Sequence, residues 1–160
     1  MMTFKRAGTA AIAIAIFCAQ QAEAQKAPPY WASIAAGEAR MRTGPGRNFP
    51  SNWVYKRRNL PVKVIEVYPS WRKVQDPDGA TGWMLAALLS DERTAIVMGE
   101  VRPMRALPDP SSKIVWRAEP GVVGRISDCA NGWCLFDAGG RRGYIEIAHI
   151  WGVGPGEDMR

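Results

Sequence analysis

Two cysteines, Cys129 and Cys134, bracket an Asn-Gly pair in the stretch DCANGWC, and a third, Cys18, lies near the start of the chain. Such a pair can serve as a redox dithiol, as half of a metal site, or as a covalent clip on a turn. Redox chemistry needs a low-pKa thiol, typically in a Cys-x-x-Cys motif opening a helix. Here four residues intervene and the context reads as a hairpin. A zinc site needs two more ligands, and only His149, the single histidine of the chain, and scattered carboxylates remain to supply them. The clip follows from turn geometry. A two-residue type I′ turn at Asn131-Gly132 makes Ala130 and Trp133 the hydrogen-bonded pair that closes it. Cys129 and Cys134 then face each other at a non-hydrogen-bonded position, with Cα atoms about 4.5 Å apart, within reach of a bridge. Closing so short a loop stabilises by about 2 kcal/mol on the chain-entropy estimate. The pair reads as a structural disulfide.

Other reactive constellations are thin. No serine sits in a strand-turn-helix nucleophile elbow, and pairing the cysteines removes any Cys-His nucleophile. A glycosidase needs two facing carboxylates in a cleft; Asp76 with Asp78, and Asp91 with Glu92, are local acids explained by turn chemistry and solvation. His149, near the C-terminal strand, reads as a half-buried packing residue. The expectation is a protein that is not an enzyme, with no catalytic residue, metal or cofactor.

Aromatics and arginines carry the stronger signal. All seven tryptophans lie beyond residue 24. Trp71 with Trp83, and Trp133 with Tyr144, recur at matching places in the two halves of the chain. Trp83 and Tyr144, each following a glycine, are assigned to a core; for Trp71 and Trp133 a binding platform and a core position both stand. Trp53, Tyr55 and Trp116 fall at the far ends of two long loops, Thr43–Arg58 and Ala106–Glu119. There they form either the wall of a groove for a peptide or glycan or a lid over the end of the domain. Arg42 and Arg105 match each other in the two halves. Each either pairs with a ligand carboxylate or holds its loop through an ion pair. Lys56-Arg57-Arg58 and Arg141-Arg142 flank turns and read as solvated.

The elements that position these residues form a repeat. ARMRTGPG (Ala39–Gly46) aligns with RPMRALPD (Arg102–Asp109), Trp71 with Trp133, and Gly82-Trp83-Met84 with Gly143-Tyr144-Ile145. The offset drifts from 63 to 62 to 61 along the chain, as loop-length differences between duplicated units produce. Each unit contains a meander of short strands. In the first, Leu60–Tyr68 places Val62, Val64 and Glu66 on one face against Lys63, Ile65 and Val67. Trp71–Gln75 and Thr81–Leu85 follow, joined through Asp76-Pro77-Asp78-Gly79. In the second, Val122–Cys129, Gly132–Asp137 and Arg142–Ile147 keep the same order, joined through Asn131-Gly132 and Ala138-Gly139-Gly140. Two units of about 60 residues with about five strands each suggest a pair of small, partly open β-barrels.

The first 24 residues stand apart. A basic start with Lys5 and Arg6, a ten-residue apolar run at Ala10–Ala19 and the small-x-small site Ala22-Glu23-Ala24 read as a cleaved signal peptide. The run is short against the roughly 20 residues that a retained membrane anchor needs. Bulky Phe17 ahead of Cys18 argues against lipid attachment there. An exported chain with two cysteines left suits an oxidising compartment, periplasmic or secreted. Without Lys5, Arg6 and Glu23 the chain keeps 19 bases against 14 acids, a net +5 in place of +6. That charge either favours anionic partners or aids solubility. Nucleic acid is a poor candidate, there being no dense basic stripe, and no later segment is apolar enough to span a bilayer.

Each unit resembles a bacterial SH3-like domain. Ala39-Arg40-Met41-Arg42-Thr43-Gly44-Pro45 is similar to the family's N-V-R-x-G-P opening, Trp71-Arg72-Lys73-Val74 to its W-x-x-V strand, and Gly82-Trp83-Met84 to its G-W-V strand. The first unit lacks the family's Asn, and the second has Ala106-Leu107-Pro108 in place of x-G-P. The resemblance implies an all-β fold of two tandem SH3-like barrels at 34–90 and 94–153. A linker at 25–33 precedes them, and a tail at 154–160 follows. It implies a non-catalytic envelope protein that recognises peptidoglycan or its stem peptides, or else acts as an adaptor for another envelope protein. The residues expected to carry binding are Arg42, Trp53, Tyr55, Trp71, Arg105, Trp116 and Trp133.

Overall fold

The computed structural model describes residues 26–159; the expected signal peptide at 1–24 and its cleavage site lie outside them. The fold is all-β, and the two units are built alike. The first contains β1 (Tyr30–Ile34), β2 (Ala39–Arg42), β3 (Ser51–Tyr55), β4 (Pro61–Tyr68), β5 (Trp71–Gln75), β6 (Thr81–Leu85) and β7 (Leu89–Ser90). The second contains β8 (Thr94–Val97), β9 (Arg102–Arg105), β10 (Ile114–Ala118), β11 (Val123–Ala130), β12 (Trp133–Ala138), β13 (Arg141–Glu146) and β14 (Ile150–Trp151). A short 3₁₀ turn precedes the last strand of each, at Ala86–Leu88 and Ile147–His149. The sheet orders, β3-β2-β6-β5-β4-β1-β7 and β10-β9-β13-β12-β11-β8-β14, are one permutation repeated. Each sheet curls into a small barrel left open between its two terminal strands.

The units have seven strands where about five were expected, and the difference lies in segments outside the expected meanders. Tyr30–Ser33, expected in the linker, belongs to β1, which pairs with both β4 and β7. The loops Thr43–Arg58 and Ala106–Glu119 contain β3 and β10, so Trp53, Tyr55 and Trp116 stand on strands rather than on loop ends. β3 reads SNWVY, and its first four residues are exposed, so it carries no apolar alternation to announce it.

The duplication extends to irregularities. β4 and β5 shift register between Val64 and Glu66, and β11 and β12 between Ser127 and Ala130. The extra residue in such a bulge reverses the faces beyond it. Glu66 is therefore exposed, and Val67 packs against the core, the opposite of simple alternation. In the second unit the same reversal turns Cys129 inward. Gly82 and Gly143 repeat for a steric reason. A Cβ on Gly82 would lie 2.5 Å from Met41 Cγ, and one on Gly143 would lie 2.6 Å from Met104 Cβ. Met41 and Met104 are fully buried, so neither can give way.

The first barrel is filled by Ile34, Met41, Val62, Val64, Val74 and Met84, the second by Val97, Met104, Ile126, Phe136, Ile145 and the two cysteines. β8 joins the two cores. Ala95 and Val97 point into its own barrel, while Ile96 packs into the core cluster of the first. Trp31 of β1 meets Trp151 of β14 edge to face at 4.7 Å, and the Arg57 guanidinium donates to the Gly121 carbonyl at 2.7 Å. The barrels thus share a packed junction. The tail from Gly154 folds back: the Met159 amide donates to the Cys129 carbonyl at 2.9 Å, and Glu157 pairs with Arg93.

Candidate functional site

The repeated arginines come first. Arg42 donates from Nη1 to the Phe49 carbonyl at 2.7 Å, and Arg105 donates from Nη1 to the Ser112 carbonyl at 2.7 Å. Each reaches a main-chain acceptor seven residues along, closing the loop ahead of β3 or β10. The loop-holding role is real, but a carbonyl takes the place of the expected carboxylate. Each arginine retains further donors.

In the first unit Arg42 is joined by others. β2 reads ARMR, with Ala39 and Met41 in the core and Arg40 and Arg42 together on the outer face. Arg40, Arg42 and Arg47 line a cleft of about 200 Å³ with Glu38, Trp71, Leu85 and Leu88. Trp71 is 7% exposed and lies opposite Leu85 across β5 and β6, forming an apolar wall. Glu38 approaches Arg40 at 3.3 Å, so three guanidinium groups face one carboxylate. An apolar wall beneath a cationic rim suits a ligand that is partly apolar and carries carboxylates. Trp71 and Arg42 were candidates from the sequence. Arg40 and Arg47 were missed, although the alternation of ARMR signals the shared face of Arg40 and Arg42.

The counterpart in the second unit has lost this character. Register places Pro103 at the position of Arg40 and Glu146 at that of Leu85, opposite Trp133. His149 ends the 3₁₀ turn as Leu88 does in the first, and it is half-buried. At these positions an arginine, a proline and a carboxylate stand where the first unit has two arginines and a leucine. Trp133 is half-buried and less enclosed than Trp71.

Trp53 pairs with Met41 and Trp116 with Met104, so the two tryptophans are equivalent. Their settings differ. Trp53 is 56% exposed. Trp116 leans on Phe136, donates Nε1–H to the Arg142 carbonyl at 2.8 Å, and carries the Arg141 guanidinium 4.9 Å from its ring centre. Tyr55 donates its hydroxyl to Asp76 Oδ2 at 2.7 Å. Burial, reinforced by that bond and by the charges of Asp76 and Asp78, pushes the Tyr55 phenol far above its usual range. Asp76 also accepts from the amides of Asp78 and Ala80, which makes it a turn-builder, as read from the sequence. Asp91 pairs with Lys26 and Glu92 with Arg125. Trp83 is buried as expected, but on the outer face beside Tyr68 and Lys73. Tyr144 corrects its core assignment: it is half-buried and donates to Asp128 at 2.9 Å.

The disulfide is formed. Cys129 and Cys134 are bonded, with Cα atoms 4.0 Å apart, behind a turn with φ of 52° at Asn131 and 84° at Gly132. Both residues are fully buried in the second core. A larger cavity of about 330 Å³ runs from Asn59 to Arg125, Asp137 and Gly140, but its charges are already paired, Arg125 with Glu92 and Asp137 with Arg142.

A family model for the bacterial SH3 domain matches residues 35–91 and 99–152, and the chain belongs to that family. No curated protein matches the chain. Among solved structures it is similar to NlpC2 from Trichomonas vaginalis (12% identity, TM-score 0.35, covering 79% of this chain and 49% of that one). NlpC1 from the same organism is similar too (12% identity, TM-score 0.35, 81% and 48%). The chain spans about half the length of each. Among the described residues no helix is long and apolar enough to cross a membrane.

Proposed function

We propose that this is a non-catalytic binding module of the bacterial cell envelope, whose first barrel grips a carboxylate-bearing ligand of the wall such as a peptidoglycan stem peptide. The cleft of Arg40, Arg42 and Arg47 over Trp71 carries the reading. Bacterial SH3 domains commonly bind cell-wall material, and the buried disulfide fits an extracellular or periplasmic protein. Purified sacculi test it by pelleting. Wild-type protein co-sediments at low salt, and Arg40→Glu with Arg47→Glu loses at least about tenfold in bound fraction, two charge-assisted contacts being removed. Arg117→Glu, on the exposed edge of the second barrel, serves as the charge control. Equal loss in the control, or no pelleting of the wild type, defeats the reading.

One observation favours an adaptor for another envelope protein instead. β3 is a terminal strand whose outer edge is unpaired among the described residues, and Trp53 and Val54 on it are exposed. An extended partner segment can add to such an edge. A stable protein partner in envelope pull-downs, with sacculi ignored, would establish that alternative.

A further inference from the structure

The second unit shows what fits on the tryptophan that the first unit leaves bare. Trp53 and Trp116 occupy the same register position, each opposite a fully buried methionine. Over Trp116 sits the Arg141 guanidinium, 4.9 Å from the ring centre, supplied by the strand pair β12–β13. In the first unit the residues before Gly82 are Ala80 and Thr81, where Arg141 and Arg142 precede Gly143. Thr81 pairs with Gln75 as Arg142 pairs with Asp137, and the Asp76 amide donates to the Ala80 carbonyl where Ala138 pairs with Arg141, so the positions correspond in space as well as in sequence. Among the described residues no cation sits over Trp53, and its ring is open.

The local charge suits a replacement. Tyr55 shares the Trp53 face of β3, its hydroxyl is bonded to Asp76, and exposed Asp78 lies close enough for its charge to act on that phenol. The corresponding turn of the second unit is Ala138-Gly139-Gly140, which has no acid where Asp76 and Asp78 stand. A cation above an indole face is attracted by the ring quadrupole, and a nearby carboxylate adds to that attraction.

We infer that the exposed face of Trp53, with Asp78 at its margin, is a seat for an organic cation, a guanidinium or primary ammonium group of a ligand, which Arg141 imitates on Trp116. This seat and the arginine cleft lie on opposite faces of β2 and β3, one on the core side with Met41 and the other outside, so either can fail without the other.

The probe is Nα-acetyl-argininamide, with the neutral isostere Nα-acetyl-citrullinamide as control, followed by the indole Nε1–H and β3 amide resonances of the full chain. The arginine compound should shift Trp53 in a saturable way at millimolar concentration, and the citrulline compound should not. Trp53→Ala, at an exposed site, should abolish the saturable shifts in β3, and Ala80→Arg should occupy the seat from within and weaken binding about fivefold. Should Ala80→Arg disturb the Asp76 turn, exposed Asp78→Asn decides, with an expected loss of about threefold. Arg141→Ala should make Trp116 begin to respond. Equal shifts from both compounds, or an affinity unchanged in Asp78→Asn, would overturn the inference whatever the sacculus result.

Discussion

The two barrels share strand order, bulges, the methionine–glycine contact and a loop-closing arginine, yet differ in three places. The first has the cationic cleft and a bare Trp53; the second has a filled Trp116, a pruned cleft and a buried disulfide. What both keep is steric and main-chain, and what diverges, the buried disulfide apart, is side-chain charge on the surface. The first unit gathers three arginines around its cleft against one carboxylate, while the second directs its charges onto itself: Arg141 on Trp116, Arg142 on Asp137, Arg125 on Glu92. A duplicated fold separates the two demands in this way, because the core contacts tolerate little change and the outer face tolerates much.

The largest effect that would break the comparison is at the disulfide. Val67 and Arg72 occupy in the first unit the positions of Cys129 and Cys134 in the second. Cys129→Ser with Cys134→Ser should cost about 4 kcal/mol in urea unfolding, from the lost chain constraint and two hydroxyls in an apolar core. Cys129→Val with Cys134→Ala should cost about 2 kcal/mol. If the serine pair unfolds like wild type, the second core does not depend on its bridge.

The shared part of the comparison predicts equality. Gly82→Ala and Gly143→Ala should each destabilise by about 2 kcal/mol, because the added methyl meets a buried methionine. A clear inequality in thermal or urea unfolding would show that the two cores are not packed alike.

The tail, present on the second unit, should respond to acid. Burial raises the Glu157 carboxyl, but the hydrogen bond from Arg93, the Gly154 amide and the Arg93 charge outweigh it and hold the group below its ordinary 4.5. A depressed carboxylate contributes stability above its unfolded pKa and loses it as pH falls through the folded value. The protection factor of the Met159 amide, taken against its intrinsic exchange rate, should therefore fall below pH 4.5, and Glu157→Gln should bring that opening to neutral pH, at a cost of about 1 kcal/mol.

The smallest effect would carry the first unit's surface onto the second. Pro103→Arg with Glu146→Leu restores two features of the cleft beside Trp133 and should raise sacculus binding about threefold. No gain in the pelleting assay would mean that the loop bearing Arg47 is indispensable.

Much of this was legible in the chain. β5 and β6 match their expected limits, because the Asp-Pro-Asp-Gly turn between them leaves little choice. The Cys129–Cys134 pairing followed from a turn whose residues tolerate positive φ. β1, β3 and β10 were not legible, since short strands in proline-marked stretches are held by their neighbours' hydrogen bonds rather than by a pattern of their own. The bulges were equally hidden, so Glu66 and Val67 were assigned to the wrong faces.

The sequence by itself determined a duplicated all-β chain, the bridge and the family, because these rest on local turn chemistry and on spacings within one unit. Tertiary structure decided which aromatics are spent and which are open. The outer face of β2, the loop at Arg47, Trp71 on β5 and Leu88 past β6 meet only when the sheet curls. Ile96 leaves its own barrel for its neighbour's core only when the two dock. Such neighbours lie 20 to 60 residues apart in the chain, and periodicity reports the face a residue takes, not what that face meets.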